Sequence, residues 1–404
     1  MLEELQLPEV FYVSQNGLIK AEEIQIPIFG ISAYLSENGA IIIEGTIAER
    51  HQENINNFDI VFQDKNGWKI TAKNFSIFEE NVTIQAGVVS GQLSATFKSK
   101  GWKLIAERGE IKTTDNVNIY NIITDLEFAD ERRISGFKER GIKFKLDELK
   151  DLVLIKSSIP QVPRCVGYFA VADTLSGFET KWRDLLDHLL LTLRFAASNF
   201  INTPIIYINN SNGGERIEVT SCIENVGRGS SIFYLGYPGT ISDLINSTFR
   251  QFISLRKDLD LDKLLMYYIM MKNSRFVDNT YLLGCVFMEG LKYSFARNIK
   301  KISYDAAAHK FLKSDGKTKY NFDELITLLY SHFDINHGSK AFIKYRNEVI
   351  HEGAISSIAF ENILSEKQEL EITIEHLLLN ILKYDGLYWD KLSRQWTDYS
   401  SIVK

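Results

Sequence analysis

Phe58-Asp59-Ile60-Val61-Phe62 and Trp68-Lys69-Ile70-Thr71 flank the dipeptide Asn66-Gly67. Apolar and polar residues alternate in both runs, the two-residue period of a half-buried strand. Asn-Gly between such runs signals a hairpin, because both residues take positive φ at little cost. Outward from this hairpin the pattern repeats. Ile41-Ile42-Ile43 precedes Glu44-Gly45, and further runs fall at 82–84, 92–97, 102–107, 152–155 and 166–171. Strands at this spacing, separated by turn residues, predict a β-rich sandwich or barrel-like domain over residues 1–172. Residues 131–145 carry Arg132, Arg133, Lys138, Arg140, Lys143 and Lys145, which fits a ligand-facing loop or a solvated one.

The period changes after Gly177. Trp182, Leu185, Leu186, Leu189, Leu190, Leu193 and Phe195 follow helical spacing. Short β runs at 204–208, 216–222 and 231–235 then interrupt it, so residues 173–256 are expected to be a mixed connecting region. Gly227-Arg228-Gly229 lacks the Lys-Ser/Thr ending of a phosphate loop and reads as a turn. Helices are predicted at 241–255, 260–272, 279–300, 322–333, 339–352 and 360–389. Asn321-Phe322-Asp323-Glu324 and Gly338-Ser339 supply starts, and Gly353 a stop. Residues 257–404 are therefore expected to form an all-α bundle, and the chain as a whole is α+β.

Bulk properties fit a globular protein with ample core. The chain has 404 residues, is 45% hydrophobic and 24% charged, and holds six prolines. Its first residues, Met1-Leu2-Glu3-Glu4-Leu5, lack the basic start and apolar run of a signal peptide. The apolar stretches at 264–271 and 281–288 are too short to span a bilayer. Cys165, Cys222 and Cys285 are too scattered for a disulfide framework or a zinc site. A cytoplasmic protein with no membrane partner and no cofactor is expected. The net charge of −6 argues against a general nucleic-acid coat. Yet residues 291–347 hold eleven basic side chains against five acidic ones, while residues 352–375 carry six glutamates and Lys367. Lys292, Lys300, Lys340 and Lys344 are candidate polyanion contacts. The same charges also fit a solvated, mixed surface.

Lys344-Tyr345-Arg346-Asn347-Glu348-Val349-Ile350-His351-Glu352-Gly353 concentrates the chemistry. On a helix, Phe342, Ile343, Tyr345, Val349 and Ile350 share a broad apolar face, with Arg346 in its midst. A buried charge needs a partner, and Glu289, inside the apolar run 281–291, is the candidate. Asn347 and His351, four apart, lie side by side. Arg346 and His351 stand about 140° apart, so one helix does not easily aim both at one phosphate. A second copy related by a two-fold axis would gather two of each around one cleft. Arg stabilises phosphoryl charge and His moves protons, which are the parts of metal-free RNA cleavage. Two other readings share the residues: a scaffold with a structural Arg346–Glu289 pair, and a nucleic-acid-binding regulator. His332 and His337, around Asp334, share no face in a helix or strand and make a poor metal site.

Arg346-Asn347-Glu348-Val349-Ile350-His351 resembles the HEPN superfamily pattern: Arg, a polar residue, a short spacer, then His, on a helix of a bundle. The trailing Glu352-Gly353 and the run Met288-Glu289-Gly290-Leu291 are similar to it as well. A β-rich region before such a bundle resembles the ApeA-like anti-phage proteins, through Ile28-Phe29-Gly30, Glu44-Gly45 and the hairpin. The resemblance implies a metal-independent endoribonuclease of a bacterial defence type. In it His351 is the general acid/base, Arg346 stabilises phosphorane charge and Asn347 orients. Glu289 and Tyr345 support them, and the N-terminal region meets a phage-derived trigger. It also implies an RNA substrate and a homodimer through the bundle.

Overall fold

The computed structural model describes residues 5, 11–21, 24–36, 40–47, 56–84, 93–124, 141–156, 159, 162, 165–221, 233, 238–335, 340–352, 355, 357, 359–391 and 393–399. Six strands open the chain: β1 (Phe11–Ala21), β2 (Ile24–Leu35), β3 (Ile41–Ile47), β4 (Asn56–Gln63), β5 (Lys69–Ile84) and β6 (Leu93–Arg108). They pair antiparallel in the order β3-β2-β1-β4-β5-β6, and β6 returns to β3. The ring is a closed barrel, which leaves no free edge among its members. Its interior follows from alternation. In β3, Ile41, Ile43 and Ile47 are buried while Ile42, Glu44 and Thr46 are half-buried. Ile28, Ile60, Ile70 and Phe75 join them in the same core.

The founding hairpin is present with a longer loop than Asn-Gly alone makes. Gln63 pairs with Lys69. The Asp64 carboxylate accepts the N–H groups of Asn66 and Trp68, both at 2.8 Å. Gly67 alone of the pair takes positive φ, at 85°. The side chain of Asp64 thus closes the turn, which widens it. The three runs expected at 82–84, 92–97 and 102–107 belong to two long strands, β5 and β6.

The sheet continues through β7 (Asn116–Thr124), β8 (Gly141–Lys143), β9 (Val153–Lys156), β10 (Cys165–Thr174), β11 (Asn202–Asn210) and β12 (Glu215–Thr220). The order past the barrel is β6-β12-β11-β7-β10-β9-β8. The β11/β12 hairpin lies within the stretch expected as a connector, yet it is the joint between barrel and extension. The expected limit at 172 falls inside β10. Residues 131–140 and the glycine turn at 227–229 lie outside the described residues.

After β10, a short helix α1 (Leu175–Gly177) and a wide π turn (Phe178–Trp182) lead into α2 (Arg183–Ala197). Then come α3 (Pro238–Leu255), α4 (Leu261–Asn273), α5 (Val277–Ser294), α6 (Phe322–His332), α7 (Phe342–Glu352) and α8 (Phe360–Ile381). The helix expected at 279–300 is α5 followed by a π turn, Phe295–Ile299. α5 sits at the centre, against α4, α6, α7 and α8. Gly284 permits this, since a Cβ there would lie 2.7 Å from Leu370 Cδ2. The helix expected to reach 389 ends at Ile381. Lys383 turns left-handed at φ 53°, and a hairpin of β15 (Leu387–Asp390) and β16 (Gln395–Asp398) follows. The apolar period itself stops at Leu382, and Asp385-Gly386 breaks what remains. The two-residue strands β13 (Tyr304–Asp305) and β14 (Lys310–Phe311) pair between α5 and α6.

One hydrophobic core runs from Val117, Phe169 and Leu189 through Leu291, Val349 and Leu378. The extension and the helices are thus welded by shared apolar burial. Inside it, Glu375 of α8 accepts Lys272 of α4 at 2.8 Å and Lys391 at 2.7 Å. A buried carboxylate flanked by two ammonium groups ties the terminal hairpin to the bundle. Among the described residues no helix is long and apolar enough to cross a membrane.

Candidate functional site

α7 shows how the Arg-Asn-His segment is held. Phe342, Tyr345 and Val349 are buried and anchor one face. Arg346 leaves the same face at a half-buried position, its side chain 19% exposed. Its Nη1 meets Glu289 Oε1 of α5 at 2.8 Å, the pairing expected from sequence. Its Nη2 donates to Asn347 Oδ1 at 2.8 Å. The guanidinium carbon lies 4.1 Å from the ring centroid of Phe322, the first residue of α6. Salt bridge, hydrogen bond and cation–π contact together leave it little freedom. Its Nε is buried and has no hydrogen-bond partner among the described residues.

Glu289 is shared. Its second oxygen takes the ammonium of Lys292, which also stands over Phe322 at 4.5 Å. Two cations thus face one carboxylate, with a phenyl ring beneath both. Burial pulls the Lys292 pKa down and Glu289 pushes it back. Cys285, one turn earlier on α5, is buried beside this group. Burial pushes its thiol up to about 12, although the Arg346 charge pulls the other way. A thiol so placed stays protonated and is a poor nucleophile.

Asn347 and His351 are exposed on the outer side of α7. Ile350, expected on the apolar face, is 38% exposed beside them. The buried side of α7 is narrower than the expected apolar face: it consists of Phe342, Tyr345 and Val349, and α7 packs against α5.

No family model, no curated protein and no solved structure matches the chain. The site is therefore read from its own geometry.

The lysines divide. Lys292 belongs to the Arg346 cluster. Lys344, two residues before Arg346, points about 160° away from it on the helix. It lies over the Tyr345 ring at 4.9 Å and feels Glu366 of α8. Lys340 pairs with Asp323 at 2.8 Å and donates to Thr327 at 2.6 Å. Lys300 sits over Phe295 at 5.7 Å, among a different set of neighbours. Lys313 and Lys319 pair with Glu324 and Asp305. Lys313, Lys319 and Lys340 are thus paired with acids of the same segment.

Phe322 was missed as a site residue. Its signal was indirect: Asn321 and Glu324 form a capping box, so the residue between them must open α6 wherever α6 docks. The His332 ring lies tilted against that of Phe295, centroids 5.3 Å apart, and His337 lies outside the described residues. Among the described residues no three His, Cys, Asp or Glu side chains gather as metal ligands.

Proposed function

We propose that the chain is a metal-independent endoribonuclease of the HEPN type, active on α7 and regulated through its β-rich N-terminal part in anti-phage defence. The observation that carries this reading is the fixed guanidinium of Arg346 bonded to the exposed Asn347, with His351 exposed one turn beyond Asn347 on the same helix. A preorganised cation needs little rearrangement when charge develops on phosphorus. A phosphate oxygen would take the Nη2 donor now held by Asn347. The ribose 2′-hydroxyl attacks the adjacent phosphorus and the bond to the 5′-oxygen breaks. A 2′,3′-cyclic phosphate and a 5′-hydroxyl result. His351 takes the proton from the nucleophile, and the His351 of a second copy supplies one to the leaving oxygen. Such pairing needs a homodimer, and the exposed Ile350 offers it an apolar contact. DNA lacks the nucleophile and should resist.

A scaffold reading has its own support. Both terminal nitrogens of Arg346 are engaged within the chain, and Phe322 covers its plane. One experiment separates the two. Purified protein is incubated with total RNA in EDTA beside His351→Ala and Arg346→Ala, and product ends are analysed. The nuclease reading expects cyclic-phosphate ends that vanish in both variants. Equal cleavage by wild type and variants removes this site. A silent wild type with a strongly destabilised Arg346→Ala protein favours the scaffold.

A further inference from the structure

β6 changes partner along its length. Residues 95–101 pair with β3 and close the barrel, whereas residues 103–108 pair with β12 and start the extension. Trp102 stands at the fork. Its carbonyl accepts the N–H of Ser221 at 3.0 Å, and the Ser221 hydroxyl accepts that of Ile41 at 3.3 Å. Both diverging strands are therefore tied to the same point. Gly101 lies against the Phe75 ring, where a Cβ would collide. Asn74, across from Trp102, adopts φ 57°. The Trp102 side chain is 65% exposed.

Lysines are its neighbours along the strands: Lys100 lies two residues before it and Lys103 follows it, and Lys73 sits directly across from Lys103. Like charges so opposed cost stability, and the fold does not relieve them fully. Lys103 reaches Glu218 at 2.8 Å, but Glu218 also serves Arg183 and Arg216. Lys73 and Lys100 are exposed, and neither has an ion pair among the described residues. An exposed indole with no ring partner among the described residues, near exposed lysines of the same sheet, suits a ligand with both aromatic faces and negative charge.

We propose that Trp102 is a stacking platform for one base of single-stranded RNA, with Lys73 and Lys100 holding the flanking phosphates. Base–aromatic stacking with backbone cations is how single strands are gripped. A duplex hides its base faces and gives the indole nothing to stack on. A protein partner fits less well, because lysine is depleted where tryptophan is enriched at interface centres. The choice of RNA rests on the ribonuclease reading, while the platform itself lies on the barrel rather than on α7.

The test is binding of a fluorescein-labelled oligouridylate to the full-length His351→Ala protein, followed by anisotropy and by tryptophan fluorescence. Adding Trp102→Ala should weaken binding about tenfold or more and abolish a stacking quench. Adding Lys73→Gln should lower the slope of log affinity against log salt by about 0.7. The melting temperature of the Trp102→Ala variant should stay unchanged, since the side chain is exposed. Unchanged affinity in that variant overturns the platform, as does equal binding of duplex RNA or heparin. Loss of self-association in Trp102→Ala, without loss of RNA binding, would overturn it in favour of a second copy. If RNA binds through Trp102 but wild type never cleaves, the nuclease reading falls and the platform stands. If wild type cleaves and Trp102→Ala binds and cleaves equally, the reverse holds.

Discussion

At the residue scale, Arg346 and His351 differ in what they owe to the fold. Arg346 has three neighbours that would miss it: Glu289, Asn347 and Phe322. His351 is exposed at the end of α7. Their substitution should therefore separate stability from chemistry. His351→Ala should change unfolding free energy by less than about 0.5 kcal/mol. Arg346→Ala should cost on the order of 1–3 kcal/mol, since it removes a half-buried ion pair and leaves Glu289 to Lys292 alone. Urea titration of both variants checks the difference. Arg346→Lys should lose less stability than Arg346→Ala, yet it cannot hold Glu289 and Asn347 with one planar fork. The Arg346–Glu289 pair was legible in the sequence because a charge within an apolar helical face demands a counter-charge. Phe322 was not, because nothing in the spacing of α6 residues says which ring lies beneath a guanidinium of α7.

At the scale of elements, the start of α6 sets the floor of the site. Asn321 accepts the N–H of Glu324 and Glu324 accepts that of Asn321, both at 2.8 Å. Phe322 follows the cap directly, so fraying there would loosen the ring under Arg346 and Lys292. Asn321→Ala is expected to cost about 1 kcal/mol and to raise hydrogen exchange in the first turn of α6. Exchange mass spectrometry would show it, and protection equal to wild type would mean that packing alone fixes the helix start. The capping box was readable as a start signal. The end of α8 was less so: helical period carried the expectation past Leu382, while Lys383 turns left-handed and the chain reverses into β15 and β16. β11 and β12 read as short β runs within a connecting region, but a β run does not name the strands on either side.

At the scale of the whole molecule, Glu218 links the parts. It lies on β12, 2% exposed. It gathers Lys103 of β6, Arg216 of its own strand and Arg183, where α2 begins. Burial alone would raise its pKa, but the hydrogen bonds of Arg183 and Lys103 and the charges of Arg183 and Arg216 bring it down to about 2. A carboxylate whose folded pKa is depressed stabilises the fold above its ordinary value of 4.5. That contribution, roughly 3 kcal/mol, is lost as pH falls from 4.5 toward 2. Melting temperature followed from pH 7 downward should therefore drop through this window in wild type. Glu218→Gln should be less stable at pH 7 and show a shallower acid limb; parallel curves would refute the linkage. By itself, the sequence determined the β-rich first part, the helical remainder and the Arg346-Asn347-His351 segment. Each of these is written in local period, turn residues or spacing along one helix. Only the tertiary structure decided that β6 forks between two partners, that β11 and β12 join barrel to extension, and that Lys292 and Phe322 join Glu289 around Arg346. Those outcomes depend on which distant surfaces bury each other, and local pattern holds no record of that choice.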